Sequence, residues 1–183
     1  HGKSAGRFRD MTVLTELADA RGVIDYIHTL VDFDGIALLG HSQGGVVAGM
    51  LAGELGDEIK ALVQLAPAAV LKDDALKGQL MYRHYDPANP PETLNVFFHR
   101  VGREYFKVAQ TLPIYEVSSQ YKGPVFLVHG KKDKVVPYSY SEEYHRVYSN
   151  SELRLFEKEN HFLSKCRKEI VGGAVDFLVR NLK

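Results

Sequence analysis

The stretch Gly40-His41-Ser42-Gln43-Gly44-Gly45 constrains this chain more than any other. An apolar run, Ile36-Ala37-Leu38-Leu39, leads into it, and an apolar helical pattern, Val46 to Ala52, leads out. The order is strand, sharp turn, helix, with a serine at the turn, as in the G-x-S-x-G nucleophile elbow. A turn this tight predicts collisions for side chains two before and two after the serine, so Gly40 and Gly44 are expected to be glycines for want of room. Ser42 then presents its hydroxyl at a helix N-terminus, where the partial positive charge favours a developing anion. The plainer alternative is a glycine-rich turn carrying a solvated serine. The flanking strand and helix favour a nucleophile.

The rest of the chain supplies a sheet for that turn. Asp10 to Leu30 carries Leu14, Leu17, Val23, Ile24, Ile27 and Leu30 at largely helical spacing, which predicts an amphipathic helix, and Asp32 to Gly35 reads as a turn. Ala61 to Pro67, Pro124 to Gly130 and Leu153 to Phe156 read as further strands. Helices are expected over Tyr138 to Tyr148 and Lys165 to Leu182, the latter with Ile170, Val171, Ala174, Phe177 and Leu178 inward. Strands alternating with helices predict an α/β fold with a mostly parallel sheet flanked by helices. Lys72 to Ser119 breaks the rhythm. It holds Pro87, Pro90, Pro91 and a crowd of aromatics, among them Tyr82, Tyr85, Phe97, Phe98, Tyr105 and Phe106. It is too long for a simple connection. We read it as an inserted cap, residues 72–119, on a core made of residues 1–71 and 120–183.

Composition excludes several functions. The 183 residues suit one domain or most of one, and 45% hydrophobic content can bury a core. Lys plus Arg equals Asp plus Glu, 23 each, so no nucleic-acid footprint is expected. No apolar run reaches the roughly 18 residues of a membrane span. The single cysteine, Cys166, excludes an internal disulfide and fits a reducing, cytoplasmic compartment. No Cys/His cluster has metal-ligand spacing. Gly2-Lys3-Ser4 looks like the end of a phosphate-binding loop but lacks the preceding glycine and strand.

A serine nucleophile needs a base and a carboxylate to orient that base, in the chain order Ser, Asp or Glu, His. Asp133 falls just past the third strand and His161 just past the fourth. Catalytic groups in open α/β sheets gather at such carboxyl ends. Among the eight histidines, His28 and His145 fall in helical patterns, and His84 and His99 lie in the cap. His129 is placed to brace the loop of Asp133, and His41 is aimed away from the serine hydroxyl. Asp133 outranks Asp73, Asp74 and Asp176 by position. The peptide N–H of Gln43 is the expected oxyanion donor.

These residues place the chain by resemblance. It resembles the α/β-hydrolases and, more narrowly, the bacterial feruloyl (cinnamoyl) esterases. The matching pieces are His1-Gly2-Lys3-Ser4, Gly40 to Gly45, Leu65-Ala66-Pro67-Ala68-Ala69, Leu112-Pro113-Ile114-Tyr115-Glu116-Val117 and His129-Gly130 through Asp133. The resemblance implies an ester hydrolase with Ser42, Asp133 and His161 as its triad, no cofactor and a small-molecule ester as substrate. It also implies a cap that binds the phenolic hydroxyl of an aromatic acid through Asp74 and Tyr105. Asp74 reads equally well as a helix-cap residue before Ala75-Leu76. A glutamine the family places nearby is Met81 here, with Gln79 two residues away. The family carries first strands and a second oxyanion donor ahead of the point where this chain starts, so a truncated form, weakly active or inactive, is expected. A homodimer is compatible with this reading, which involves neither nucleic acid nor membrane. A lipase, general carboxylesterase or peptidase on the same scaffold, or a binding module without activity, are the alternatives.

Overall fold

The computed structural model describes residues 3–30 and 35–182. His1-Gly2 and most of the turn expected at Asp32 to Gly35 lie outside the described residues. After a short 3-10 turn at Phe8–Asp10 the chain forms α1 (Val13–His28), β1 (Ile36–His41), α2 (Gln43–Leu55) and β2 (Ile59–Leu65). There follow α3 (Val70–Leu76), β3 (Gln79–Leu80), β4 (Arg83–His84), β5 (Thr93–Val96), β6 (His99–Gly102), α4 (Arg103–Thr111) and α5 (Ile114–Ser118). The chain then returns through β7 (Val125–Gly130), α6 (Ser139–Val147), β8 (Ser151–Phe156) and α7 (Arg167–Asn181).

β1, β2, β7 and β8 form one parallel sheet in that order. β7 is buried along its whole length, as a strand covered on both faces should be. Val125 and Leu127 face the layer that holds α1 and α2; Phe126 and Val128 face Ile170, Ala174 and Phe177 of α7. Between β2 and β7, residues 66–124 add no strand to this sheet. They form α3, two antiparallel hairpins (β3–β4 and β5–β6), α4 and α5. The hairpin tips meet: the Phe97 N–H donates to Tyr82 Oη at 3.0 Å, and their rings lie 5.4 Å apart.

Three details depart from the sequence expectation. α1 buries Val13, Leu17 and Ile24, whereas Leu14 and Val23 are exposed, and Leu30, also exposed, lies beyond the helix end at His28. The spacing of four and three that runs from Val13 selects one narrow stripe, and Leu14 and Val23 fall outside it. On α7, Val171 is 52% exposed because the face toward Phe126 is set by Ile170, Ala174 and Phe177. Leu39 of β1 is 56% exposed although it pairs with fully buried Val63. α7 packs over β2 and β7, and β1 stands at the end of the strand order.

Candidate active site

Ser42 sits between β1 and α2 with φ 57° and ψ −125°. A non-glycine residue in this region costs about 1–3 kcal/mol and persists only where its surroundings hold it. Here the Ser42 N–H donates to Leu65 O at 2.9 Å, and Ser42 O accepts from Gly45 N at 2.9 Å and Ala68 N at 3.0 Å. The glycines are not used as their symmetry about the serine suggests. A Cβ on Gly40 would lie 2.0 Å from Gly44 O, which nothing can relieve, since both are backbone. A Cβ on Gly44 would meet no described atom within 4 Å. The second crowded glycine is the next residue, Gly45, whose Cβ would stand 3.0 Å from Pro67. The elbow closes Gly40 onto the Gly44 carbonyl, and Gly45 onto the turn after β2.

The loops after β7 and β8 bring two further groups to Ser42. His161 Nε2 lies 2.9 Å from Ser42 Oγ, and His161 Nδ1 lies 2.7 Å from Asp133 Oδ2. With Nδ1–H donating to the carboxylate, Nε2 is left as the acceptor for the serine proton. The Asp133 side chain is inaccessible. Its Oδ1 accepts from the N–H groups of Val135 and Val136 at 2.8 Å each. Its Oδ2 accepts from His161 and, at 3.1 Å, from His129 Nε2. Burial alone would raise the Asp133 pKa, but the hydrogen bonds from His129, His161 and the two peptide N–H groups outweigh it and hold the carboxyl well below its usual range. His41 Nε2 donates to the carbonyl of His161 at 2.8 Å, so His41 points away from the hydroxyl, as its place in the turn predicts.

A cleft of about 240 Å³ opens between this elbow and the cap. Ser42 and Gln43 form its floor, and Leu71, Leu80, Val96 and Val101 give most of its wall an apolar character. Asp74 lines it but does not cap a helix; it lies inside α3, whose N-cap is Ala69. Burial raises the Asp74 pKa, Lys77 opposes this, and Asp73 adds to it. Tyr105 is buried in α4 and also lines the cleft. Its hydroxyl donates to Gln43 Oε1 at 2.7 Å, so its proton is directed at the elbow. Met81 lines the outer wall, and the Gln79 amide turns back on Met81 O at 3.0 Å. Of the two cap histidines, His99 lines the cleft, stacked 4.3 Å from Phe8, whereas His84 is exposed on β4.

Three participants were not legible from sequence. Glu16 of α1 accepts from Gln43 Nε2 at 2.6 Å, and Val135 and Val136 contribute to the cleft wall. Glu16 carries no motif. Only the acidic residue in the first turn of the helix that packs on α2 could have drawn notice.

A parallel sheet whose strand ends hold a serine turn, an aspartate loop and a histidine loop defines a hydrolytic enzyme of the α/β-hydrolase fold. The chain belongs to the prolyl oligopeptidase family, which it matches over residues 8–183. None of the curated proteins compared matches it. Among solved structures it is similar to Est1E from Butyrivibrio proteoclasticus with ferulic acid bound, at 32% identity and a TM-score of 0.94, over 99% of this chain and 73% of that one. It is also similar in fold to alpha/beta hydrolase domain-containing protein 10 from mouse, at 20% identity and TM-score 0.74, over 100% of this chain and 75% of that one. A monoacylglycerol lipase from Paleococcus ferrophilus shares the fold at 18% identity and TM-score 0.73, over 99% of this chain and 80% of that one.

Proposed function

We propose that the chain is a serine carboxylic ester hydrolase that cleaves feruloyl or related hydroxycinnamoyl esters. The observation that carries the reading is the hydrogen-bonded series Ser42–His161–Asp133, whose serine lies at the floor of an apolar cleft. Ser42 Oγ attacks the ester carbonyl carbon while its proton passes to His161 Nε2. The carbonyl oxygen becomes an oxyanion facing the N–H of Gln43, which as the first residue of α2 has no intrahelical partner. Collapse breaks the C–O bond to the alcohol, which leaves with the proton from His161. Water then attacks the acyl-enzyme, giving a proton to His161, and the acid departs as Ser42 recovers its proton. Asp133 keeps Nδ1 protonated and the ring in register.

The acyl group occupies the cleft under the cap, which we take as residues 72–119. Asp74 is the acceptor for a phenolic proton there. Tyr105 gives its own proton to Gln43, so it offers the phenol a ring edge and an oxygen lone pair. The similarity to a structure holding ferulic acid supports an aromatic acyl group. The family description favours a second reading, cleavage of a peptide bond after proline. The test compares kcat/KM for methyl ferulate, methyl butyrate and a prolyl p-nitroanilide, with Ser42→Ala as control. Preference for methyl ferulate, lost in Ser42→Ala, supports the proposal. Preference for either other substrate removes the aromatic acyl assignment, and undiminished hydrolysis by Ser42→Ala removes the mechanism.

A further inference from the structure

The residue that follows the nucleophile is held from two sides. Gln43 Oε1 accepts from Tyr105 Oη of the cap at 2.7 Å, and Gln43 Nε2 donates to Glu16 Oε2 of α1 at 2.6 Å. The Met11 sulfur lies 3.7 Å from the same nitrogen. The polarity of this series is dictated by its end. A carboxylate only accepts, so it fixes the amide with Nε2 toward α1 and Oε1 toward the cap. Tyr105, facing a carbonyl oxygen, must then donate. Glu16 thereby sets the direction of every bond up to the cap. The backbone of Gln43 carries the N–H that opens α2, and its side chain is the handle by which that peptide is held.

We propose that Glu16 is a positioning residue for the oxyanion donor, holding Gln43 from α1 while Tyr105 holds it from the cap. Glu16 touches neither substrate nor Ser42. Its effect is to restrict the peptide plane between Ser42 and Gln43, which needs a geometry good to a fraction of an ångström to stabilise a tetrahedral oxygen. A carboxylate placed there is costly: burial raises the Glu16 pKa, the hydrogen bond from Gln43 opposes the rise, and Asp19 one turn along α1 adds to it. A surface glutamate would avoid that cost, and the amide it grips is the compensation.

This inference rests on the ester-hydrolase reading, and its test separates the two. Steady-state rates are measured for the wild-type chain, Glu16→Leu, Glu16→Gln and Tyr105→Phe, with p-nitrophenyl acetate and methyl ferulate. The oxyanion is common to both esters, so Glu16→Leu should lower kcat about tenfold on both, below the ~10²–10³ lost with a whole donor, with KM within about twofold. Glu16→Gln keeps an acceptor for Gln43 Nε2 and should recover to within about threefold of wild type. A loss confined to KM, a loss confined to methyl ferulate, or equal defects in Glu16→Leu and Glu16→Gln would overturn the proposal. A second readout needs no turnover. In ¹⁵N-labelled protein the Gln43 side-chain and backbone amide resonances should titrate with the Glu16 carboxyl, and the response should vanish in Glu16→Gln. Gln43 amides indifferent to that titration overturn it as well, even if Glu16→Leu does not fold. A wild-type chain that hydrolyses neither ester overturns the ester-hydrolase reading, while the titration still decides whether Glu16 holds the amide.

Discussion

His129 and His161 share one carboxylate oxygen. Asp133 Oδ2 lies 2.7 Å from His161 Nδ1 and 3.1 Å from His129 Nε2, and His129 is wholly buried. His129 also donates to Val136 O at 2.9 Å and faces Ser141 Oγ at 2.7 Å through Nδ1. It ties the β7 loop to α6 and leaves Asp133 one oxygen direction for the base. His129→Leu would orphan a carbonyl, a hydroxyl and part of a carboxylate in a dry interior. Each costs about 1–3 kcal/mol before relaxation. Chemical denaturation should therefore show a loss of about 2–4 kcal/mol, with kcat reduced more than KM.

The charge on Asp133 gives a second prediction with a definite sign. Its folded pKa is held well below the unfolded value of about 3.9. The folded state thus binds this proton less readily than the unfolded state. The resulting stability is fully present above about pH 4 and is lost as pH falls through the folded pKa. Asp133→Asn lacks this contribution. The stability gap between wild type and Asp133→Asn should be largest near neutral pH and narrow below about pH 4 in denaturation measured across pH. A gap that widens in acid would contradict the hydrogen-bond account. In a comparable triad the same change costs about 10⁴ in kcat through the wrong imidazole tautomer, and a similar loss is expected here.

How much of this was readable follows from which forces are local. The strand-turn-helix around Ser42, the buried run of β7 and the loops bearing Asp133 and His161 follow from short-range pattern, and their order along the chain settles which strand end each group occupies. The use of the glycines was not readable. Gly40 and Gly44 look equivalent in the motif, yet a Cβ on Gly40 would strike the Gly44 carbonyl while one on Gly44 faces open space, and it is Gly45 that packs on Pro67. The packing of Gly45 depends on a turn more than twenty residues away in sequence. Glu16 was invisible for the same reason, its partner lying on another helix. Exposure of Leu14, Val23 and Val171 shows the converse limit: apolar residues near a stripe are not all in it.

The glycines yield a paired prediction. Gly40→Ala forces a Cβ into the Gly44 carbonyl, and the strained turn has no slack to move. Loss of a few kcal/mol or failure to fold is expected. Gly44→Ala enters open space in the first turn of α2, where alanine is favoured over glycine by up to about 1 kcal/mol. Its melting temperature should equal or exceed that of wild type. A destabilised Gly44→Ala together with a tolerated Gly40→Ala would reverse the assignment.

Asp74 supplies the test of acyl recognition. It is the carboxylate among the cleft-lining residues, and burial makes its charged form costly there unless a donor arrives. A phenolic hydroxyl is such a donor; the unsubstituted ring of a cinnamate is not. Asp74→Leu removes the acceptor and keeps the bulk. For methyl ferulate KM should rise about tenfold, matching the roughly 1.5 kcal/mol of a hydrogen bond to a charged group. For methyl cinnamate KM should stay the same or fall, because no carboxylate then needs desolvation. Asp74→Asn, which keeps an acceptor oxygen, should lie between. Since the raised pKa means protonation begins at a higher pH than for an exposed aspartate, the preference for ferulate over cinnamate should weaken as pH falls through that range in wild type and be flat in Asp74→Leu. Equal KM changes for both esters would show that Asp74 shapes the cleft without reading the hydroxyl.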